Sequence, residues 1–87
     1  MTTMKIEMCV IGFKNKDFTN RLTDIRKIQG LKVLKRRNKP FYDISGQIET
    51  DADFAAMGSA LSYLLTHCNA ELEINDDDLR EKILTII

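Results

Sequence analysis

LKVLKRRNKPFYDISGQIE, residues 31–49, decides the fold. Leu31 and Val33 open an alternating run that turns basic at Lys35, Arg36 and Arg37. Asn38, Lys39 and Pro40 interrupt it, and proline, with no N–H to donate, belongs in a turn or at a strand start. Alternation then resumes. Tyr42, Ile44, Gly46 and Ile48 share one face, and Phe41, Asp43, Ser45 and Gln47 share the other. The stretch therefore predicts a hairpin. It is also where the chain changes sign. Residues 14–39 hold ten Lys and Arg against Asp17 and Asp24, whereas residues 40–79 hold nine Asp and Glu and no Lys or Arg.

On the N-terminal side of the hairpin, residues 5–13 (KIEMCVIGF) alternate as a strand, with Ile6, Met8 and Val10 on one face. Its apolar character predicts a central place in the sheet. Asn15 is an N-cap candidate. Phe18, Leu22, Ile25 and Ile28 then form one stripe of a helix over 16–29, which Gly30 ends in a left-handed conformation. On the C-terminal side, Thr50 and two aspartates mark a helix start. Phe54, Met57, Leu61, Leu64, Leu65 and Cys68 carry its stripe, and Asn69 is the expected stop. Residues 70–75 read as a short strand with Leu72 and Ile74 inward. Asn75 or Asp76 then caps a last helix, although the terminal ILTII suits a fifth strand as well.

The resulting order, β-α-β-β-α-β plus a tail, is the split βαβ pattern of ferredoxin-like α+β folds, a two-layer sandwich. In it the first and third strands are central, and the basic second strand is an edge, where charge discourages pairing with another sheet. Residues 1–3 are expected to be a disordered N-terminus, 4–75 a single domain, and 76–87 a helix or tail packed on the domain or on a partner.

At 87 residues with zero net charge and 44% apolar content, the chain suits one folded domain. It has no run of 18 apolar residues and no signal-peptide pattern, so the expected location is cytoplasmic, without a membrane. Cys9 and Cys68 make no disulfide framework and are expected reduced. His67 and Cys68, adjacent on a helix, diverge by about 100° and so do not form a catalytic pair. Asp76, Asp77 and Asp78 lack a calcium-loop spacing. No phosphate loop, triad or metal-ligand spacing is present, and the expectation is a non-enzyme with no cofactor and no metal.

Three function classes remain. The leading expectation is a small binding or regulatory protein. It acts on an acidic protein partner through the basic hairpin (Lys35, Arg36, Arg37, Lys39) and the first helix (Arg21, Arg26, Lys27). A charge-polar domain of this kind also fits a phage-type inhibitor or accessory protein. Self-association is expected through Leu79, Ile83, Ile86 and Ile87, as a homodimer or larger homo-oligomer, and Ala55, Ser59 and Ser62 form a small-residue strip that permits close approach. The second class is a nucleic-acid-binding protein using the same basic surface. Against it, the open sheet face is expected to carry Glu7, Asp43, Gln47, Glu49, Glu71 and Glu73 and to repel phosphate. The third rests on topology alone: the strand order resembles that of ACT-like regulatory domains, which implies a small-ligand site near residues 12–17.

Overall fold

The computed structural model describes residues 3–87. The chain runs β1 (Met4–Ile11), α1 (Lys16–Arg26), β2 (Leu31–Lys35), β3 (Phe41–Ile48), α2 (Asp51–His67), β4 (Glu71–Glu73) and α3 (Asp77–Leu84). The strands form one antiparallel sheet in the order β2-β3-β1-β4, the ferredoxin-like arrangement. The apolar β1 is central and the basic β2 is an edge. Of the expected N-terminal tail, residues 1–2 lie outside the described residues, and Thr3 is exposed.

Alternation builds the core. Ile6 and Val10 of β1 and Ile44 and Ile48 of β3 point to the helical side and are fully buried. Phe18 and Ile25 of α1 and Met57, Leu61 and Leu64 of α2 meet them there. Phe18 packs edge-to-face on Tyr42, ring centres 5.1 Å apart. Among the described residues, no polar or charged residue is buried. Each helix begins at a side-chain cap. The Asn15 carboxamide accepts the Phe18 N–H (2.9 Å), Thr50 Oγ1 accepts the Asp53 N–H (3.1 Å), and Asp76 accepts the Leu79 N–H (2.9 Å).

Three elements are shorter than expected, among them β4, which covers Glu71–Glu73 and not 70–75. β1 stops at Ile11, two residues early; the Gly12 N–H still donates to the Pro40 carbonyl (3.0 Å), in register with β3, before the chain leaves for α1. The first helix ends at Arg26 rather than Gln29. Lys27 and Ile28 close its last turn on the Thr23 and Ile25 carbonyls, and Gly30 at φ 91° leads into β2. The tail is a helix and not a fifth strand. The Asp76 cap and the acidic first turn outweigh the β-branched end.

The two ends of the β2–β3 pair are closed differently. At the turn, Asn38 takes a left-handed φ of 59°, and the Arg36 N–H donates to the Phe41 carbonyl (2.8 Å). At the other end the Gln47 N–H donates to the Gly30 carbonyl (3.0 Å), and the backbones approach so closely that a Cβ on Gly46, itself at φ 135°, would strike the Gly30 oxygen.

Candidate functional site

The bond from Gly12 to Pro40 is the last rung between β1 and the start of β3. It holds the β1–α1 loop against the β2–β3 turn, so that Phe13 and Lys14 stand beside Lys35, Asn38, Lys39 and Pro40 around a shallow concavity of about 300 Å³. Phe13 is 83% exposed, the most exposed large apolar side chain described. Lys14, Lys35, Arg37 and Lys39 are all exposed, and no ion pair among the described residues involves them. Lys35 Nζ reaches only the Arg36 carbonyl, at 3.3 Å. This end of the sheet therefore presents one aromatic ring among four uncompensated cations.

The other basic residues singled out from the sequence are placed elsewhere. Arg36 points onto the open sheet face, where its fork grips both Asp43 carboxylate oxygens at 2.9 Å and its guanidinium lies 5.3 Å over the Phe41 ring. That hydrogen-bonded charge holds the Asp43 carboxyl below its ordinary pKa and raises that of Arg36. Arg26 Nη2 donates to the Val33 carbonyl (3.2 Å) at the outer edge of β2. Arg21 pairs with Asp24 (3.2 Å) and covers the Tyr63 ring at 5.1 Å, between the two long helices. Lys27 caps the far end of α1, about 16 Å of helix from Lys16. The sequence grouped seven cations; the structure gathers Lys35, Arg37 and Lys39 at the turn and adds Lys14 and Phe13.

The open sheet face also differs from its expected character. Leu31 and Val33 point inward, so β2 turns Lys32, Leu34 and Arg36 onto that face, and Lys5 joins them from β1. With Asp43 neutralised by Arg36, the face is mixed in sign and not acidic. From the sequence the β2 cations are assigned to the sheet edge and the hairpin surface, not to this face. A cavity of about 570 Å³ lies here between Arg36, Asp43, Ser45, Glu73 and Asp76, with Cys9 lining it. Burial, followed by the nearby Asp43 charge, raises the Cys9 thiol pKa, which makes it a poor nucleophile.

The remaining candidates have local partners. His67 is exposed, stacked on Tyr63 with ring centres 4.5 Å apart and its Nδ1 2.8 Å from Thr66 Oγ1, while Cys68 is half-buried. Asp77 pairs with Arg80. No group of three or more His, Cys, Asp or Glu among the described residues is placed to hold a metal ion. In the 12–17 loop, Gly12 is buried and Asn15 is the helix cap. Leu79 and Ile83 lie in the chain's own core, Ile86 packs on Gly58 of α2, and Ile87 is at the surface. Among the described residues, no helix is long and apolar enough to cross a membrane.

Compared with protein-family models, curated proteins and solved structures, the chain matches none.

Proposed function

We propose that the protein is a small non-enzymatic binding module whose working surface is the end of the sheet built by the β1–α1 loop and the β2–β3 turn. The observation that carries this is Phe13, 83% exposed beside Lys14, Lys35 and Lys39, with Arg37 on the same turn. An exposed aromatic is the kind of side chain that anchors an interface by filling a partner's pocket. A rim of unpaired cations steers an acidic partner and sets orientation more than it adds affinity. The acidic residues of this chain lie mainly beyond the hairpin in sequence, and among the described residues none is ion-paired with these four cations. An inhibitor or accessory protein acting on an acidic protein surface fits this layout.

Isolation of the protein from its host with whatever co-purifies supplies the partner. Phe13→Ala and the triple variant Lys35→Glu, Arg37→Glu, Lys39→Glu are then compared with wild type by calorimetry. Loss of binding at least tenfold in both, with thermal stability nearly unchanged, is expected. Retained binding in both variants would sink the proposal. Arg36 is left intact because its grip on Asp43 serves the fold.

A second reading is favoured by the same ring, because aromatic side chains also stack on unpaired bases while lysines neutralise phosphates. The mixed sign of the open face weakens the objection raised from the sequence. If single-stranded nucleic acid binds through the four cations, the log–log salt slope should be roughly −3. A flat response to salt would eliminate this reading.

A further inference from the structure

Tyr42 carries a polar atom that the fold does not use. The residue is only 6% exposed and its ring packs edge-to-face on Phe18, so the core fixes the side chain. A buried tyrosine ordinarily gives its O–H a partner. Here the hydroxyl takes part in none of the side-chain hydrogen bonds of the described residues. No side-chain oxygen or nitrogen among those residues is both sealed from solvent and unpaired, so the hydroxyl reaches solvent. Tyr42 borders the concavity that Phe13, Lys14, Lys35, Asn38 and Lys39 surround. A free donor on a rigid ring therefore stands at the inner side of a basic hollow.

The hollow supplies cations and no counter-charge. Lys14, Lys35 and Lys39 line it, and no Asp or Glu does. The two larger cavities beside the sheet differ. Glu7, Asp43, Glu73 and Asp76 line the one of about 570 Å³, and Glu7, Glu49 and Asp53 line the one of about 540 Å³. At about 300 Å³ the hollow takes one compact group. It is not a stretch of a longer basic track, because Arg21 and Arg36 are held in ion pairs and Arg26 is spent on a β2 carbonyl. One isolated anionic group suits it better than the evenly spaced charges of a polynucleotide.

Granting the binding-module reading, on which this rests, we propose that the concavity binds one phosphomonoester carried by the acidic protein partner, on a phosphorylated serine or threonine. The hollow is shallow, which suits the short stem of those side chains. A phosphoryl group brings three acceptor oxygens and a charge of about −1.5 to −2. One oxygen accepts the Tyr42 O–H. The others face the ammonium groups of Lys14, Lys35 and Lys39, which hold phosphate as point charges. A carboxylate offers two oxygens and a single charge, and leaves more of the cations uncompensated. Phe13, beside the hollow, meets the partner next to the modified residue. Association then follows the modification state of the partner.

NMR titration of the full chain with three peptides of one sequence tests this, the central residue being phosphoserine, glutamate or serine and its neighbours glycine and alanine. The phosphoserine peptide should bind roughly tenfold more tightly than the glutamate peptide, or better, and the serine peptide more weakly than either. Tyr42→Phe should weaken the phosphoserine peptide about tenfold, through loss of one hydrogen bond to a charged group. Its thermal midpoint should not fall, because the hydroxyl has no partner in the fold to lose. Lys39→Gln, at an exposed side chain, should weaken the same peptide severalfold. Phosphatase treatment of the co-purified partner should abolish its binding. Equal affinity for the phosphoserine and glutamate peptides, full affinity in Tyr42→Phe and Lys39→Gln, or tighter binding of adenosine monophosphate or oligothymidylate than of the phosphoserine peptide would each overturn the proposal. A partner that is lost by Phe13→Ala but binds Tyr42→Phe, and binds undiminished after phosphatase, leaves the surface standing and removes the phosphate site. A partner indifferent to Phe13→Ala and to the triple charge variant removes the surface and the site together.

Discussion

Gly46 sits where β3 must bond β2 on one side and β1 on the other while passing the carbonyl of Gly30. Its φ of 135° is open to glycine alone, and the space that a Cβ would need is taken by backbone, which cannot move aside as a flexible side chain can. Gly46→Ala should therefore destabilise the fold by about 2–4 kcal/mol, read from the urea midpoint at constant m-value. Asp43 offers a gentler test. Its folded pKa is depressed, chiefly by the Arg36 hydrogen bond, so the stability it contributes is present above its unfolded pKa of about 4 and is lost as pH falls through the lower folded value. Both partners are well exposed, so the effect is small. In melting curves between pH 2 and 6, Asp43→Asn should lose less stability on acidification than wild type. The thiols separate too: Cys68, half-buried, should react with a disulfide reagent before Cys9, which is buried and has a raised pKa.

Among the elements, α3 is the one whose nature the sequence left open and whose removal should be most instructive. Ile83 is fully buried, and Ile83→Ala should cost about 2–5 kcal/mol. Asp76→Ala removes only the cap and should cost about 1 kcal/mol. If both changes leave the urea midpoint unmoved, α3 is not part of the cooperative fold. The long helices and the hairpin were legible because their signals are local: stripes at helical spacing, caps at Asn15 and Thr50, strict alternation from Phe41 to Ile48. The site was only half legible for the same reason. Lys35, Arg37 and Lys39 are neighbours in the chain and were found together. Phe13 and Lys14 are more than twenty residues away, and the β1–β3 ladder, ending in the bond from Gly12 to Pro40, brings them in. Arg26 was read as a surface cation, yet it sits on an edge carbonyl, which depends on where α1 crosses β2 and leaves no periodic trace.

For the whole molecule, charge layout and sheet order act on different properties. The cations at the turn govern encounter. The association rate with an acidic partner should fall as ionic strength rises past about 0.1 M, where the screening length shrinks to about 10 Å, while the dissociation rate changes little. A dissociation rate that carried the whole salt effect would contradict steering. The sheet order concerns the chain before it is complete. β1 is made first and paired on one side by β3, but its outer neighbour is not made until residue 71. A nascent chain that has reached α2 can assemble three strands and a core while all of β1 from Met4 to Ile11 lies bare along one side. During synthesis, and in any fragment cut before β4, the most apolar strand of the protein is temporarily an edge, and its solubility then depends on how soon three residues of β4 arrive to cover half of it.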